Sequence, residues 1–426
     1  MGDSLIFHID VNSAYLSWEA VKRLKELDSV DLRTIPSAIG GDREKRHGVI
    51  LAKSEPAKKY GIITGEPISN ALKKCPDLYV AQPDFDLYSK NSNAFMEVLK
   101  RYAPVIEQYS IDEAFADLSG TSYLYKDPIA LAHEIKDTIK NELMFTVNIG
   151  ISTNKLLAKM ASDFEKPDKV HTLFPDEIKK KMWPLPVGEL FFVGNTAKRK
   201  LHDLGISSIG DLACCDVNLL RTHLKKQGDI IYQYANGIDS SKVEKEEPDN
   251  KAYGNSTTIA YDVTTFEYAK MILLSLCESV AARLREDGVK GSCVTVHYTD
   301  HNFISRSHQR TCPSPTNITG EIYAIAFGLF ETLWEKQTPL RLIGVQVSKL
   351  TTEEIRQYNI FDMDKYEKLG KLDRAIDQIR NKYGNNSIKR ACFIDQKQES
   401  YGKYPVYTPS DNEFKDGKGK EYRLEK

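Results

Sequence analysis

Apolar positions along the chain keep three different rhythms. LIFHIDV (5–11) is a nearly continuous apolar run of strand length. From Val11 to Leu27 apolar residues recur at helical spacing, and Asn12 or Ser13 is placed to cap that helix. VILAK (49–53) predicts a strand. A short helix follows near Pro56 to Tyr60, with the proline suited to its first turn and Gly61 ending it. Residues 85–102 read as a helix, and VIEQYSIDEAFADL (105–118) as two strands joined by a turn at Ser110 to Glu113. Residues 128–142 give an amphipathic helix, FTVNIGIS (145–152) a strand, and NKLLAKMASDF (154–164) a helix. This alternation predicts an α/β sheet with helices against it.

Beyond residue 170 the rhythm changes. Residues 171–240 read as short helices with tight glycine turns, and SKVEKEEPDNKA (241–252) as a charged linker. An α/β pattern restarts over 253–350: a strand, a helix (267–287), strands at 292–299 and 303–311, a helix (319–336) and a strand (340–348). The tail holds one helical stretch (364–383), and its last forty or so residues are polar and expected to be poorly ordered. No solenoid-type repeat is present.

The chain has 426 residues, room for roughly three or four domains. Its formal net charge of -1 is not that of a protein coating nucleic acid by bulk electrostatics, so any such binding must use local patches. The seven cysteines are odd in number and lack CxxC spacing, which argues against a disulfide framework and structural zinc. No apolar run is long enough to span a bilayer, and residues 1–10 lack the marks of a signal peptide. A cytoplasmic, monomeric protein with no membrane partner is the expectation.

Asp10 ends an apolar strand, and Asp112 and Glu113 sit at a turn between two others. Acidic tips on rigid strands can present oxygen ligands at an edge open to substrate. Two Mg²⁺ ions roughly 3.5–4 Å apart can share such carboxylates and clamp attacking and leaving oxygens. Turn carboxylates also commonly face only water, and spacing alone does not separate the two readings.

The surrounding residues carry more. DVNSAYLSWE (10–19), YSIDEAF (109–115) and GISTNKLLAKMASDFEKP (150–167) resemble, in order and spacing, the catalytic motifs of the Y-family DNA polymerases. The asparagine of DVN and the run AKSEPAKKYGI (52–62) look closer to the UmuC-like branch than to the DinB-like branch. The resemblance implies a multidomain α/β and α+β right hand. Its ferredoxin-like palm would take residues 1–34 and 78–170, its small fingers 35–77, and its helical thumb 171–240. A linker (241–252), an α/β little finger (253–350) and a tail (351–426) would follow.

The implied activity is template-directed, low-fidelity lesion bypass, with primer-template DNA and a deoxynucleoside triphosphate as partners. Two Mg²⁺ ions, replaceable in binding by Mn²⁺ or Ca²⁺, would be held by Asp10, Asp112, Glu113 and the carbonyl of Val11. Tyr15 matches the steric gate against ribonucleotides, while Ala14 stands where the family usually has a second aromatic. Lys166 and Lys58 match triphosphate contacts. Glu55 replaces a tyrosine that contacts phosphate in the DinB-like branch, leaving that contact to Lys53 or Ser54. FFVGNTAKRKLHDLGISSIGDL (191–212) resembles a helix-hairpin-helix, whose Val193, Gly194, Thr196 and Lys198 would meet DNA phosphates. One glycine of the family's Gly-Ile-Gly turn is replaced by Phe192. Lys290, Arg306 and Arg310 are the DNA candidates of the little finger. Gln357, Ile360 and Phe361 resemble a bacterial sliding-clamp peptide.

Two rival readings remain at this level. Gly40-Gly41-Asp42-Arg43-Glu44 superficially resembles a dinucleotide-cyclase signature, but it lies away from the acidic hairpin. A catalytically silent scaffold, or an enzyme needing an activating protein, would share the same fold.

Overall fold

The computed structural model describes residues 4–26, 30–42, 46, 48–121, 124–125, 127–245, 249–334, 338–353, 363–394, 397–399 and 406–408. The clamp-like residues Gln357, Ile360 and Phe361 lie outside the described residues. Two compact units form: Met1–Gly41 with Gly48–Pro248, and Asp42–His47 with Asp249–Lys426.

The first unit opens with strand β1 (Ile6–Val11) and helix α1 (Ala14–Lys25). Every residue of β1 is buried, because both of its faces are covered. Phe7, Ile9 and Val11 belong to the main core, while Ile6 meets Ala158 and His8 meets Ser162 on the opposite face. Ser13 stands before α1 in a left-handed conformation (φ 47°) and makes no side-chain cap bond. Asn12 does not cap either: its Nδ2 donates to Asn148 Oδ1 at 3.1 Å.

β2 (Ser37–Gly40), β3 (Ile50–Lys53) and the later β4 (Tyr79–Ala81) make a small separate sheet, in the order β3-β2-β4. Two short helices, α2 (Glu55–Lys58) and α3 (Ile68–Lys74), close its core. After α4 (Phe85–Leu99), β5 (Val105–Gln108) and β6 (Glu113–Asp117) form the expected hairpin. Helix α5 (Pro128–Leu143), β7 (Val147–Ser152), α6 (Lys155–Ser162) and β8 (Val170–Thr172) complete the main sheet. Its order is β5-β6-β1-β7-β8. The first four strands follow the ferredoxin-like pattern of alternating antiparallel neighbours, and β8 adds a parallel edge just past residue 170.

Helices α7 (Ile178–Lys181), α8 (Asn195–Asp203), α9 (Ile209–Cys214), α10 (Val217–Leu224) and α11 (Lys226–Ala235) pack around their own apolar cluster. The segment after α11 is less free than a linker. Asp239 accepts from the Leu156 N–H, Lys155 Nζ reaches the Lys242 carbonyl, and the Glu244 N–H donates to Glu107 at 2.9 Å.

In the second unit, β9 (Ala252–Val263), β10 (Lys290–Asp300), β11 (Ser305–Thr316) and β12 (Leu340–Thr351) form an antiparallel sheet ordered β11-β10-β12-β9. Helices α12 (Phe266–Glu286) and α13 (Thr319–Leu333) cover one face over Val294, Val296, Val345 and Val347. Helix α14 (Met363–Tyr383) docks through ion pairs: Arg285 meets Asp377 at 2.6 Å, and Arg380 meets Glu278 at 3.3 Å. Part of the tail is ordered. A 3-10 turn at Ala391–Phe393 buries Phe393 fully, and β13 (Lys397–Glu399) pairs with β14 (Val406–Thr408). Phe393 supplies an apolar anchor that the polar composition of the tail hid.

The covering of β1 and β7 by α6 rests on Gly150. A Cβ there would stand 2.0 Å from the Ala158 carbonyl and 2.4 Å from the Ser162 nitrogen, both backbone atoms that cannot turn aside. Gly150→Ala is therefore expected to destabilise the fold by at least about 2 kcal/mol. Urea unfolding measures it, and an unchanged midpoint would contradict this packing.

Candidate active site

Strand pairing brings the acidic residues together. Asp10 lies opposite Glu113 on β6 and Asn148 on β7, and the Val11 N–H donates to the Asp112 carbonyl at 3.0 Å. Ser110 shapes the hairpin turn: its hydroxyl donates to Asp112 Oδ1 at 2.7 Å and accepts from the Glu113 N–H at 3.0 Å.

Asp10 is only 7 % exposed. Burial pushes its carboxyl up to about 6, even though the neighbouring Lys166 ammonium pulls it down. Burial alone would depress Lys166, but Asp10 and Asp163 together raise it. Lys166 is held in place by the loop before it, where Asn148 Nδ2 donates to the carbonyls of Ser162 and Glu165 at 3.0 and 2.6 Å.

For Glu113, burial opposes ionisation, yet its contacts with His8 and Lys159 win and bring its carboxyl down to about 2. Geometry assigns most of that to Lys159, whose Nζ is 2.7 Å from Glu113 Oε2. The Ser162 hydroxyl donates to the Lys159 carbonyl, so His8 Nδ1 must be the donor to Ser162. A neutral His8 then turns its Nε2 lone pair toward Glu113, and that separation is a long 3.6 Å. Burial depresses the His8 pKa and so favours this neutral form.

Tyr15, on the first turn of α1, stacks on Tyr88 with ring centroids 4.4 Å apart and meets Phe85 edge-on at 6.2 Å. Burial and then the Asp112 charge raise its phenol pKa. Ala14 is buried, as is Tyr88 of α4, which packs on Tyr15 and Trp18.

The site is therefore a set of carboxylate oxygens flanked by lysines and an aromatic floor, on a ferredoxin-like sheet. Sequence models of the impB/mucB/samB family match residues 9–163, and its C-terminal domain matches residues 250–360. DNA polymerase IV of Clostridium acetobutylicum is 46 % identical over 395 residues, covering 93 % of this chain and 99 % of that protein. The chain belongs to the Y family of DNA polymerases. DNA polymerase IV of Acetivibrio thermocellus is 36 % identical over 92 % of this chain and 98 % of its own length. DNA polymerase IV 2 of Bacillus subtilis is 35 % identical, with 94 % and 97 % covered. A Y-family DNA polymerase chimera shares the fold, with a TM-score of 0.71 at 22 % identity over 82 % of this chain and 100 % of its own. These relatives speak for the family and not for the UmuC-like branch.

Other expected contacts fare unevenly in this polymerase. Ser54 is 2 % exposed and fully used: it caps α2 through the Ala57 N–H, accepts from the Ser37 N–H and donates to the Ile35 carbonyl. Its hydroxyl hydrogen is donated to the Ile35 carbonyl. Lys58 pairs with Glu55 at the surface, and Lys53 Nζ is 3.2 Å from the Thr64 hydroxyl. Phe192 adopts φ 76°, the conformation that the missing glycine would have taken, so the turn forms without it. Gly194 then starts α8, with Val193 buried beneath and Thr196 exposed on the first turn.

In the second unit, Arg306 pairs with Tyr298 and Arg310 with Val294, both buried on the helix-covered face. The two arginines therefore overhang that side, while Thr295, His297, Thr299, Ser307 and Gln309 line the open face. Lys290 begins β10 opposite Thr351. Arg306 and Arg310 thus share one side of the sheet. Lys159, His8, Asn148 and Tyr88 escaped the sequence reading. His8 carried the one available signal, as a polar residue in an apolar strand on the same face as Asp10.

Among the described residues, no three His, Cys, Asp or Glu side chains converge as a metal cluster. Asp10 and Glu113 each turn to a lysine, and Asp112 turns to Ser110. No helix among them is long and apolar enough to cross a membrane.

Proposed function

We propose that this translesion polymerase extends a DNA primer by two-metal nucleotidyl transfer at Asp10, Asp112 and Glu113. The observation that carries this reading is the pairing of Asp10 with Glu113, locked by the Val11 N–H to Asp112 carbonyl bond. The oxygen-only donor set suits Mg²⁺, which accepts one or two protein carboxylates and completes its shell with water and phosphate. Asp10, Asp112, Glu113 and the Val11 carbonyl would hold the two ions. When bound, the ions lower the pKa of the attacking hydroxyl and neutralise charge growing on the leaving pyrophosphate. A buried Asp10 whose carboxyl resists ionisation beside one lysine is a group that further positive charge would satisfy.

The remaining groups take their parts by position. Lys166, next to Asp10, would meet the triphosphate, with Lys58 and Lys53 contributing charge from the small sheet. Tyr15, backed by Tyr88, would close the space below the sugar and reject a 2′-hydroxyl. The Gly194 turn and the start of α8, with Thr196 and Lys198, would hold phosphates without reading sequence. The hydroxyl- and amide-bearing open face of the second unit's sheet would meet a DNA groove, with Arg306, Arg310 and Lys290 as candidates for phosphate contact. A sliding clamp meeting Gln357, Ile360 and Phe361 is the proposed protein partner. An activating protein remains the partner to test if the chain alone is inert.

Primer extension with Mg²⁺ tests the site. Asp112→Asn and Glu113→Ala should each lose about 10²–10³-fold or more in rate, the scale for removing one group that stabilises transition-state charge. Wild-type rates in either would overturn the assignment. Tyr15→Ala should raise ribonucleotide incorporation at least about tenfold relative to deoxynucleotides, and an unchanged ratio would place the gate elsewhere. Replacing Ile360 and Phe361 together by Ala should abolish binding to a bacterial sliding clamp in a surface-immobilised assay; equal affinity would remove the clamp from the account.

A further inference from the structure

Lys159 lies in the middle of α6, with its side chain 12 % exposed. An ammonium so far from water needs compensation. It finds one carboxylate and two aromatic faces: Glu113 Oε2 at 2.7 Å, the Tyr109 ring at 5.3 Å and the Phe191 ring at 5.6 Å. Tyr109 belongs to the acidic hairpin. Phe191 belongs to the segment leading into the Phe192–Gly194 turn.

That segment is tied to α6 and to the helical cluster at several points. The Phe191 N–H donates to Met160 Sδ at 3.4 Å, one residue beyond Lys159. Phe191 stacks on Tyr234 of α11 at 6.3 Å, Phe192 meets the same ring edge-on at 6.2 Å, and Gln227 donates to the Phe192 carbonyl at 3.2 Å. A displacement of the turn therefore moves one wall of the box around Lys159. Another wall is the Glu113 carboxylate, 2.7 Å from the ammonium.

We propose that Lys159 is a positioning residue that couples the phosphate-holding turn at Phe192–Gly194 to the orientation of Glu113. Seating DNA on the turn closes Phe191 over the ammonium, which then fixes the Glu113 carboxylate for metal binding. This rests on the reading of Glu113 as a metal ligand. The ion pair and cation–π contacts are each modest, but they share one cation and so act together. The coupling is reciprocal: DNA should tighten metal binding, and metal should tighten DNA binding.

The test uses the full chain with a primer-template ending in a 3′-deoxynucleotide, so that no chemistry occurs. Free Mn²⁺ is followed by electron paramagnetic resonance with and without this DNA. In the wild type, DNA should tighten Mn²⁺ binding at least about fivefold, the lower end of ordinary coupling. In Lys159→Met the two affinities should fall within about twofold of each other, and in Phe191→Leu the enhancement should shrink. With an extendable primer, Lys159→Met should lower kcat about tenfold or more while the nucleotide KM stays within about threefold. A purely structural role would not produce that split. An enhancement that survives in Lys159→Met, or is absent from the wild type, overturns the proposal. If Lys159→Met does not fold, an undiminished enhancement in Phe191→Leu overturns it equally. Glu113→Ala separates the two levels: wild-type Mn²⁺ binding and extension there would bring down the metal-site reading itself.

Discussion

The architecture turns on one costly constraint, an ionisable carboxylate at the buried end of the central strand. Asp10 stands where both faces of β1 are covered, and burial alone would keep it neutral. The surrounding chain answers with cations on the same side of the sheet. Lys166 comes from the loop after α6, and Lys159 from α6 itself, for the partner carboxylate Glu113. Neither lysine could reach if α6 stood farther from β7, and Gly150 is what lets them touch. A core glycine, two lysines and a strand-end aspartate thus form one unit, in which packing serves charge.

The same arrangement explains why the site is open on one side and rigid on the other. The strand register and the Ser110 turn fix the backbone of Asp10, Val11, Asp112 and Glu113, so few degrees of freedom remain at the reacting edge. In the aromatic cluster Tyr15 stacks on Tyr88 and Phe85 stands edge-on to both, an arrangement that depends on α1 and α4 packing together. Under the proposed function, a rigid edge beside stacked rings would suit a polymerase that aligns a sugar and a triphosphate. Under the same proposal, sequence-independent grip would fall to backbone donors at the start of α8 and to the hydroxyl-rich sheet of the second unit.

Much of this was legible in the sequence, for identifiable reasons. The strands around Asp10 and Glu113 are short apolar runs broken by turn residues, and the two acidic positions sit where a register-locked hairpin must place them. The little-finger elements were readable because Val294, Val296 and Tyr298 alternate strictly with polar neighbours. What the sequence left hidden depended on tertiary facts. Ser54 is an N-cap only because the Ala57, Ser37 and Ile35 backbones converge on it. The side taken by Arg306 and Arg310 is fixed by pairing with β10, which carries an irregularity between Gly291 and Cys293. Lys159 reads as an ordinary helical lysine until Glu113 and Tyr109 of the hairpin and the distant Phe191 are brought around it. Phe192 shows the reverse case, a bulky residue accepting a backbone conformation that composition alone would assign to glycine.

The central claim is that Asp10, Asp112 and Glu113 hold the metals of nucleotidyl transfer. Its most direct test is a crystal of the chain with primer-template DNA and a non-hydrolysable deoxynucleotide, grown with Mn²⁺ and measured at the manganese absorption edge. The account predicts anomalous peaks bonded to oxygens of these three residues, one bridging to the triphosphate, with the Lys166 ammonium displaced from Asp10. Peaks confined to other residues, with Lys166 still on Asp10 and Lys159 the only partner of Glu113, would contradict it.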